Sequence, residues 1–380
     1  MTPELNLSRD PAHLRHGSTI GQPLSRIDGL AKVTGRARYA ADNNPSGMLY
    51  AVLAVSSIAR GRVVSLDVDA AKAHPGVVAV MTSANRPPLQ ADPDGKPNPF
   101  AFRFEALQND RVRYANQPIA VVIAESLEAA TEGAALLAPR YQAEPARIGL
   151  DTGEAYVPPV VGMGFPAESH HGDAAAALAG SDKRITATYE TPAHYHNAME
   201  PHAIVAEWQG DRLIIDTPTQ GLVMMRARLA ELFGIAPENI LIRSPYLGGG
   251  FGGKGLMAGA QVLGILAAKL VDRPVKLVAR REQLYGPFGH RSPTRQTLKL
   301  GANAAGQLSA IHHHARIATS SFEDFYEAAA HVTHTLYAAP AISTTYDAVR
   351  MDTGTPLFVR APGIAPDRKS GSAGMPRPSH

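Results

Sequence analysis

A seven-residue stretch with five glycines, GGGFGGK over residues 248–254, is the part of the chain best suited to chemistry. Glycine has no Cβ, so such a loop can turn tightly and bring its backbone close to a ligand. Successive N–H groups in a loop of this kind can bind an anionic or oxygen-rich group. A large aromatic residue such as Phe251 is not expected in a linker that is merely flexible. The stretch therefore predicts a binding loop, and a purely structural turn is the alternative.

The loop differs from a phosphate-binding P-loop at one position that matters chemically. A P-loop needs Ser or Thr directly after its lysine, because that hydroxyl binds magnesium. Here Gly255 follows Lys254, so the magnesium ligand is missing. The loop therefore predicts a different kind of ligand from a nucleoside triphosphate.

The elements around the loop predict how it is positioned. Residues 240–242 are typical of a strand, and residues 256–270 form an alanine- and leucine-rich stretch typical of a buried helix. Upstream, residues 213–216 predict a strand and residues 222–233 a helix that Gly234 would end. Gln220 lies in the short turn between them. Taken alone, it could equally be a water-exposed residue at a helix start.

A Thr-Gln helix start about thirty residues before the glycine loop resembles the molybdenum-binding subunit of the xanthine dehydrogenase and aldehyde oxidase family. Further segments in the same order also resemble that family, and the last of them is most similar to its bacterial periplasmic-type aldehyde oxidoreductase branch. These segments are RIDGLAKVTG at 26–35, ARY at 37–39, NQPIAVV at 116–122, HGD at 171–173 and MEPHA at 199–203.

The resemblance implies a fold of the α+β class. An a/b hammerhead-like domain would be followed by the first, incomplete molybdopterin-binding domain. We expect a flexible N-terminal arm over 1–17, the hammerhead-like domain over 18–145 and a linker over 146–180. The first cofactor-binding domain would cover 181–363, and 364–380 would be a disordered tail outside the resemblance. We expect the two domains to have separate sheets.

The resemblance also implies which residues bind the cofactor, molybdenum-molybdopterin in its cytosine dinucleotide form. The side chain of Gln220 would hydrogen-bond an oxo-type ligand of the metal. The backbone of Gly249, Gly250, Phe251, Gly252 and Gly253 would lie against the metal's ligands. Arg360, in the FVRAPG segment at 358–363, would bind from the other side, although it could also be an ordinary surface arginine. No protein residue is expected to ligate the metal directly, because the dithiolene of the pterin holds it.

The catalytic residue stays unassigned. The family's general-base glutamate belongs to a segment that follows the FVRAPG motif, and the resemblance stops at Gly363. We therefore expect a truncated chain that is inactive alone, whether by frameshift, truncation or, less favoured, a natural split. Glu200 is interpreted as structural, pairing with the backbone or with a basic group. The closely spaced histidines, among them His196, His202 and His313, are interpreted as hydrogen-bonded or solvated rather than as metal ligands.

Composition restricts the partners. The chain has no cysteine, so it cannot bind a cysteine-ligated iron–sulfur cluster, and electrons would pass to partner subunits that carry 2Fe-2S clusters and FAD. The net charge of +3 is not concentrated in any dense basic run, which argues against nucleic acid as a partner. No apolar stretch predicts a membrane span. The expected location is cytoplasmic, or periplasmic if a signal-bearing partner exports the complex.

The predicted function is oxidation of an aldehyde to a carboxylic acid with water as the oxygen source. Purine-hydroxylating members of the family carry a glutamate directly after the Gly-Gly-Lys sequence, where Gly255 stands here. Two alternatives remain open. One is an inactive remnant, and the other is a purine hydroxylase subunit of the xanthine dehydrogenase type.

Overall fold

The computed structural model of the chain describes Pro23 and residues 25–90 and 106–363. The expected N-terminal arm, 1–17, and the expected tail, 364–380, lie outside the described residues. The chain up to Arg38 is a unit of its own, in which the ion pairs of Asp28 with Arg26 and Lys32 accompany a short helix. All strands and the remaining helices belong to the second unit, which begins at Tyr39.

The strands follow one another along the chain as β1 (Leu49–Val55), β2 (Gly61–Ser65), β3 (Val77–Met81), β4 (Arg111–Val112), β5 (Pro118–Ala124), β6 (Arg140–Ala143), β7 (Ala155–Tyr156), β8 (Glu168–His171), β9 (Lys183–Thr191), β10 (Ala203–Gln209), β11 (Arg212–Asp216), β12 (Ile240–Arg243), β13 (Val275–Val278), β14 (Thr294–Ala302), β15 (Leu308–Ser320) and β16 (Ala341–Met351). The helices are α1 (Gly29–Val33), α2 (Val68–Ala73), α3 (Leu127–Leu136), α4 (Ala174–Ala179), α5 (Leu222–Phe233), α6 (Gly259–Val271) and α7 (Thr333–Leu336).

The largest sheet joins the two halves of the chain. Its seven strands lie in the order β12-β11-β10-β13-β1-β5-β3. The junction is a parallel pairing of β1 with β13, in which Leu49 lies opposite Val275. The expectation of separate sheets for 18–145 and 181–363 is therefore wrong. The physical reason is that β1 and β13 are both mostly apolar and mostly buried, and each finds its missing neighbour in the other half.

The second sheet has six strands, β7-β16-β15-β14-β9, with β8 also paired to β16. The expectation of a linker over 146–180 is wrong as well, because β7 and β8 belong to this sheet and α4 packs against β15. The prolines and glycines of this segment interrupt the alternation of apolar and polar residues, so the sequence pattern does not predict these short strands. A third, small sheet has the order β4-β2-β6.

Helix α6 forms the centre of the large core. Nine consecutive residues, 260–268, are buried, and the helix packs on β10 and β13 and on β1, β3 and β5. The helix can approach β10 because residue 264 is glycine, and a Cβ there would collide with the side chain of Ile204. Helix α5 begins right after Gln220 and Gly221 and ends at Gly234, which has a φ of 64°. Along the chain, the glycine loop at 248–254 lies between strand β12 and the buried helix α6.

We expect Gly264→Ala to lower the melting temperature of the chain. Alanine favours a helix over glycine by about 1 kcal/mol, but overpacking a close-packed core costs about 1–3 kcal/mol. The control is Gly180→Ala, where φ is ordinary and the nearest atom to an added Cβ is 3.6 Å away. Thermal unfolding by circular dichroism measures both. A Gly264→Ala variant as stable as the control would contradict the packing described.

Candidate functional site

Gln220 and the glycine loop are held together by hydrogen bonds in both directions. The side-chain oxygen Oε1 of Gln220 accepts from the N–H groups of Gly252 and Lys254 at 3.0 and 3.3 Å. The backbone N–H of Gln220 donates to the carbonyl of Lys254 at 2.8 Å. The loop also closes on itself, since Gly253 donates to the carbonyl of Gly250. Two sequence-predicted site features are thus brought into direct contact.

The orientation of the Gln220 amide follows from these bonds. Because two loop N–H groups donate to it, the atom facing the loop is the oxygen. The amide nitrogen then carries two N–H groups for which no acceptor lies among residues 25–90 and 106–363. The residue itself is exposed. It can therefore donate a neutral hydrogen bond to an oxygen atom of a group beside the loop.

The glycines of the loop are needed for close approach. A Cβ on Gly250 would collide with the Gln220 side chain, and one on Gly252 would collide with the carbonyl of Phe358. A Cβ on Gly253 would lie 2.6 Å from the ring of His196. Gly249 and Gly252 also have φ values of 95° and 98°, which side-chain-bearing residues rarely adopt. The missing Cβ atoms at Gly250, Gly252 and Gly253 therefore let the loop pack closely against Gln220, Phe358 and His196.

Phe251 is the one residue of this loop with a side chain and a positive φ, 52°. Its ring is 42% exposed, and its carbonyl accepts from the N–H of Arg360 at 2.7 Å. The side chain of Arg360 is exposed. The structure therefore brings Gln220, the glycine loop and the backbone of Arg360 to one place.

The segment at 358–360 is fixed by two side chains that sequence reasoning did not assign to the site, the half-buried His196 and the buried Arg291. His196 makes a 2.8 Å hydrogen bond to the carbonyl of Phe358, and burial lowers the pKa of its imidazole. Nη2 of Arg291 donates to the carbonyls of Val359, at 2.8 Å, and Arg360. No local sequence signal marks these residues, because each acts across more than sixty residues of chain.

Both ends of the loop are anchored to Glu200. Its carboxylate oxygen Oε2 accepts from the N–H of Gly248 at 2.8 Å and from Nζ of Lys254 at 3.0 Å. Nζ also donates to the Glu200 carbonyl at 2.8 Å, and the Glu200 N–H donates to the Gly248 carbonyl. The Lys254 side chain is 1% exposed and that of Glu200 is 10% exposed. The prediction that Glu200 pairs with the backbone or a basic group is confirmed.

We expect Glu200→Ala to destabilise the chain by about 3–5 kcal/mol, because it leaves the Lys254 ammonium buried without its counter-ion. The control is Glu282→Ala, which removes a surface ion pair with Arg280 that should contribute at most about 1 kcal/mol. Urea unfolding measures the free energy of each variant. Equal small losses for both variants would show that the loop does not depend on this pair.

Three buried histidines predict that the chain is sensitive to acid. Burial lowers the pKa of His202 to about 3 and those of His290 and His313 to about 4. His313 is held by Thr333 and Gln296 on its two ring nitrogens. Each ring is neutral in the folded chain, whereas an unfolded histidine binds a proton near its ordinary pKa of 6.5. The unfolded state therefore binds more protons once the pH falls below that value.

Stability should accordingly be lost as the pH falls from about 6.5 to about 4, by up to about 1.4 kcal/mol per pH unit for each buried imidazole. We expect His313→Gln to flatten this slope by about one proton. Urea unfolding across this pH range gives the slope. A slope equal to that of the parent chain in His313→Gln would contradict the assignment.

No group of His, Cys, Asp or Glu side chains suited to hold a metal ion occurs in the described residues. In the same residues, no helix is long and apolar enough to cross a membrane.

Two family matches cover most of the chain. Residues 159–367 match the molybdopterin cofactor-binding domain. Residues 34–145 match the a/b hammerhead domain of aldehyde oxidase and xanthine dehydrogenase. The chain belongs to the aldehyde oxidase and xanthine dehydrogenase family. The predicted α+β fold, with a hammerhead domain followed by a molybdopterin-binding domain, is confirmed. Its family is one of molybdenum-dependent oxidoreductases.

Individual relatives agree with this assignment. The chain is 35% identical over 350 residues to the aldehyde oxidoreductase molybdenum-binding subunit PaoC of Escherichia coli, an overlap of 91% of this chain and 46% of the relative. It is 29% identical over 300 residues to the nicotinate dehydrogenase large molybdopterin subunit of Eubacterium barkeri, covering 77% of this chain and 68% of that one. The chain thus spans about half the length of the PaoC relative.

The fold is similar to that of solved enzymes. Quinoline 2-oxidoreductase from Pseudomonas putida 86 superposes with a TM-score of 0.76 at 24% identity, over 91% of this chain and 46% of that one. The aldehyde oxidoreductase from Desulfovibrio desulfuricans ATCC 27774 gives a TM-score of 0.76 at 19% identity, over 90% and 40%. At these identities the likeness concerns the fold alone.

Proposed function

We propose that this chain provides the glycine-loop half of the cofactor site in a molybdenum hydroxylase that oxidises aldehydes to carboxylic acids with water as the oxygen source. The observation that carries the proposal is the Gln220 amide. Its oxygen is occupied by two loop N–H groups, so its exposed amide nitrogen is left to donate to a group beside the glycine loop. The aldehyde oxidoreductase relative supports the reaction class.

In this proposal, the bound molybdenum-molybdopterin supplies a two-electron redox centre. The chain's own residues bind and orient it. Gln220 donates its amide N–H to an oxygen ligand without adding charge. Gly249, Gly250, Gly252 and Gly253 would contribute backbone to the site. The lack of a Cβ at Gly250, Gly252 and Gly253 lets the loop pack against Gln220, Phe358 and His196, and the Phe251 carbonyl accepts from the backbone N–H of Arg360. The glutamate that acts as general base in the family is not assigned to any residue of this chain.

The substrate class follows from Gly255. Its N–H donates back to the Gly252 carbonyl at 3.2 Å, so it ends the loop in a turn and offers no side chain. A purine would leave polar atoms unpaired there, at a cost of about 1–3 kcal/mol for each group. An aldehyde has fewer polar atoms to satisfy. Purine hydroxylation of the xanthine dehydrogenase type is the second candidate, because xanthine dehydrogenases are also among the relatives.

The proposal includes the cytosine dinucleotide form of the cofactor and two partner subunits, one with 2Fe-2S clusters and one with FAD. The absence of cysteine from this chain is the physical reason for the iron–sulfur partner. The complex would be cytoplasmic, or periplasmic if a signal-bearing partner carries it across the membrane.

The test is the molybdenum content of the purified chain and the nucleotide released from it by acid. We expect bound molybdenum with cytidine monophosphate, and a lower content in Gln220→Ala. One neutral hydrogen bond contributes about 0.5–1.5 kcal/mol, which corresponds to roughly a two- to tenfold loss of affinity. Gly252→Ala should lose more, because its Cβ would collide with the Phe358 carbonyl.

The control is Gly306→Ala, which has a comparable φ of 84° but no atom within 4 Å of an added Cβ. It should keep the parent's molybdenum content. Binding of benzaldehyde and of hypoxanthine to the molybdenum-loaded chain, measured by isothermal titration calorimetry, distinguishes the substrate classes without requiring a catalytic base. A cofactor that binds equally well to the Gln220→Ala, Gly252→Ala and parent chains would overturn the proposed site.

A further inference from the structure

Strand β9 ends the six-stranded sheet with an exposed edge. Within residues 25–90 and 106–363, β14 is the only strand that pairs with it. Seven of its nine residues are exposed. A long exposed edge strand presents a row of unpaired N–H and C=O groups, which is a template for another strand. The edge has no bulge against β14, and it contains no proline that would block pairing.

An apolar groove lies along the same edge. Alternate residues of β9 point to one face of the sheet, and there they line a cavity of about 280 Å³ together with β14 and α7. Several of the lining side chains are large and exposed, with Ile185 63% and Leu336 48% accessible. The groove therefore gives the free edge an apolar face that pairing could extend. Its principal lining residues are Ile185, Tyr189, Leu298, Leu300, Leu336 and Tyr337.

The sequence of β9 is complementary to itself in the antiparallel direction. If two copies pair with Ala187 opposite Ala187, Arg184 lies opposite Glu190 of the other copy. Ile185 then lies opposite Tyr189, and Thr186 opposite Thr188. Opposite charges, an aliphatic–aromatic pair and a threonine pair are each favourable cross-strand combinations. A shift of one residue would place the apolar side chains on opposite faces, so the pattern also specifies the register.

We propose that a second copy of this chain binds at β9, so that the two six-stranded sheets join into one across a two-fold axis at Ala187. Such an interface is isologous, because the same strand serves as both surfaces. In this arrangement the two apolar grooves lie on the same face and meet at the Ile185–Tyr189 pairs. The arrangement does not involve Gln220 or the glycine loop, and so it is independent of the cofactor.

The test is the molar mass of the full chain by light scattering during size exclusion, over a dilution series of roughly two decades in concentration. We expect a dimer for the parent chain. Arg184→Glu places two carboxylates opposite each other at both ends of the interface, and Glu190→Arg places two guanidinium groups there. Each single variant should raise the dimer dissociation constant by at least about tenfold.

A mixture of the two variants provides the decisive comparison. Arg184→Glu and Glu190→Arg chains complement each other at both ends, so an equimolar mixture should form a heterodimer although neither variant dimerises well alone. The mixture also guards against misfolding of Glu190→Arg, which loses an ion pair with Arg295. The matched control is Lys183→Glu, which has the same charge change on the same strand but lies opposite Thr191. It should dimerise like the parent.

Two results would overturn the proposal. One is a parent chain that stays monomeric throughout the series, which would show that a second copy does not bind at β9. The other is a dimer whose dissociation constant is the same in Arg184→Glu and in Lys183→Glu, which would place the interface elsewhere on the surface.

Discussion

The buried ion pair between Glu200 and Lys254 is the interaction on which the geometry of the glycine loop depends. Glycine-rich backbone has a high conformational entropy, and ordering each residue costs about 1–2 kcal/mol. A loop made largely of glycine therefore needs strong anchors at its ends. One carboxylate oxygen provides both, since it accepts from Gly248 at the start and from Lys254 at the end. The loop between them is then short enough to adopt one conformation.

The anchored loop in turn fixes what lies on both sides of it. The side-chain oxygen of Gln220 accepts from two backbone N–H groups of the loop, and the backbone N–H of Gln220 donates to the Lys254 carbonyl. On the other side, the Phe251 carbonyl binds Arg360, and the nearby segment is held by His196 and Arg291. All these bonds involve backbone atoms on at least one side. Hydrogen bonds to backbone atoms thus fix the loop and the 358–360 segment on its two sides.

The sequence predicted local elements well because their patterns are local. The helix predicted at 222–233 has these bounds in the structure, and Gly234 ends it in the left-handed conformation, as predicted. The same reasoning failed for the partnership of β1 with β13. Both strands are mostly apolar, with Lys276 the charged exception in β13, and nothing in either one specifies which other strand will lie beside it, so the separate-sheet expectation was wrong.

A similar distinction applies to the site. Gln220, Phe251 and Arg360 were recognisable because they lie in segments whose order along the chain resembles the family. Arg291 and Glu327 were not recognisable, because their importance comes from burial. Glu327 is 1% exposed and accepts from the N–H of Gly363 at 2.6 Å, and burial raises the pKa of its carboxyl group. Such roles depend on contacts across the fold, which composition and spacing do not contain.

Most of the groups around the proposed cofactor site are backbone atoms or neutral side chains, which has a chemical consequence. A metal held by a dithiolene needs no ligand from the protein, so the protein acts through hydrogen bonds and shape alone. A neutral amide such as that of Gln220 can stabilise an oxygen ligand with little change in the charge of the site. Gln220, Gly252 and His196 all contribute neutral groups, and the charges of Glu200 and Lys254 are paired on the buried side of the loop. The loop therefore separates a buried, paired charge from the exposed face on which Gln220 and Arg360 lie.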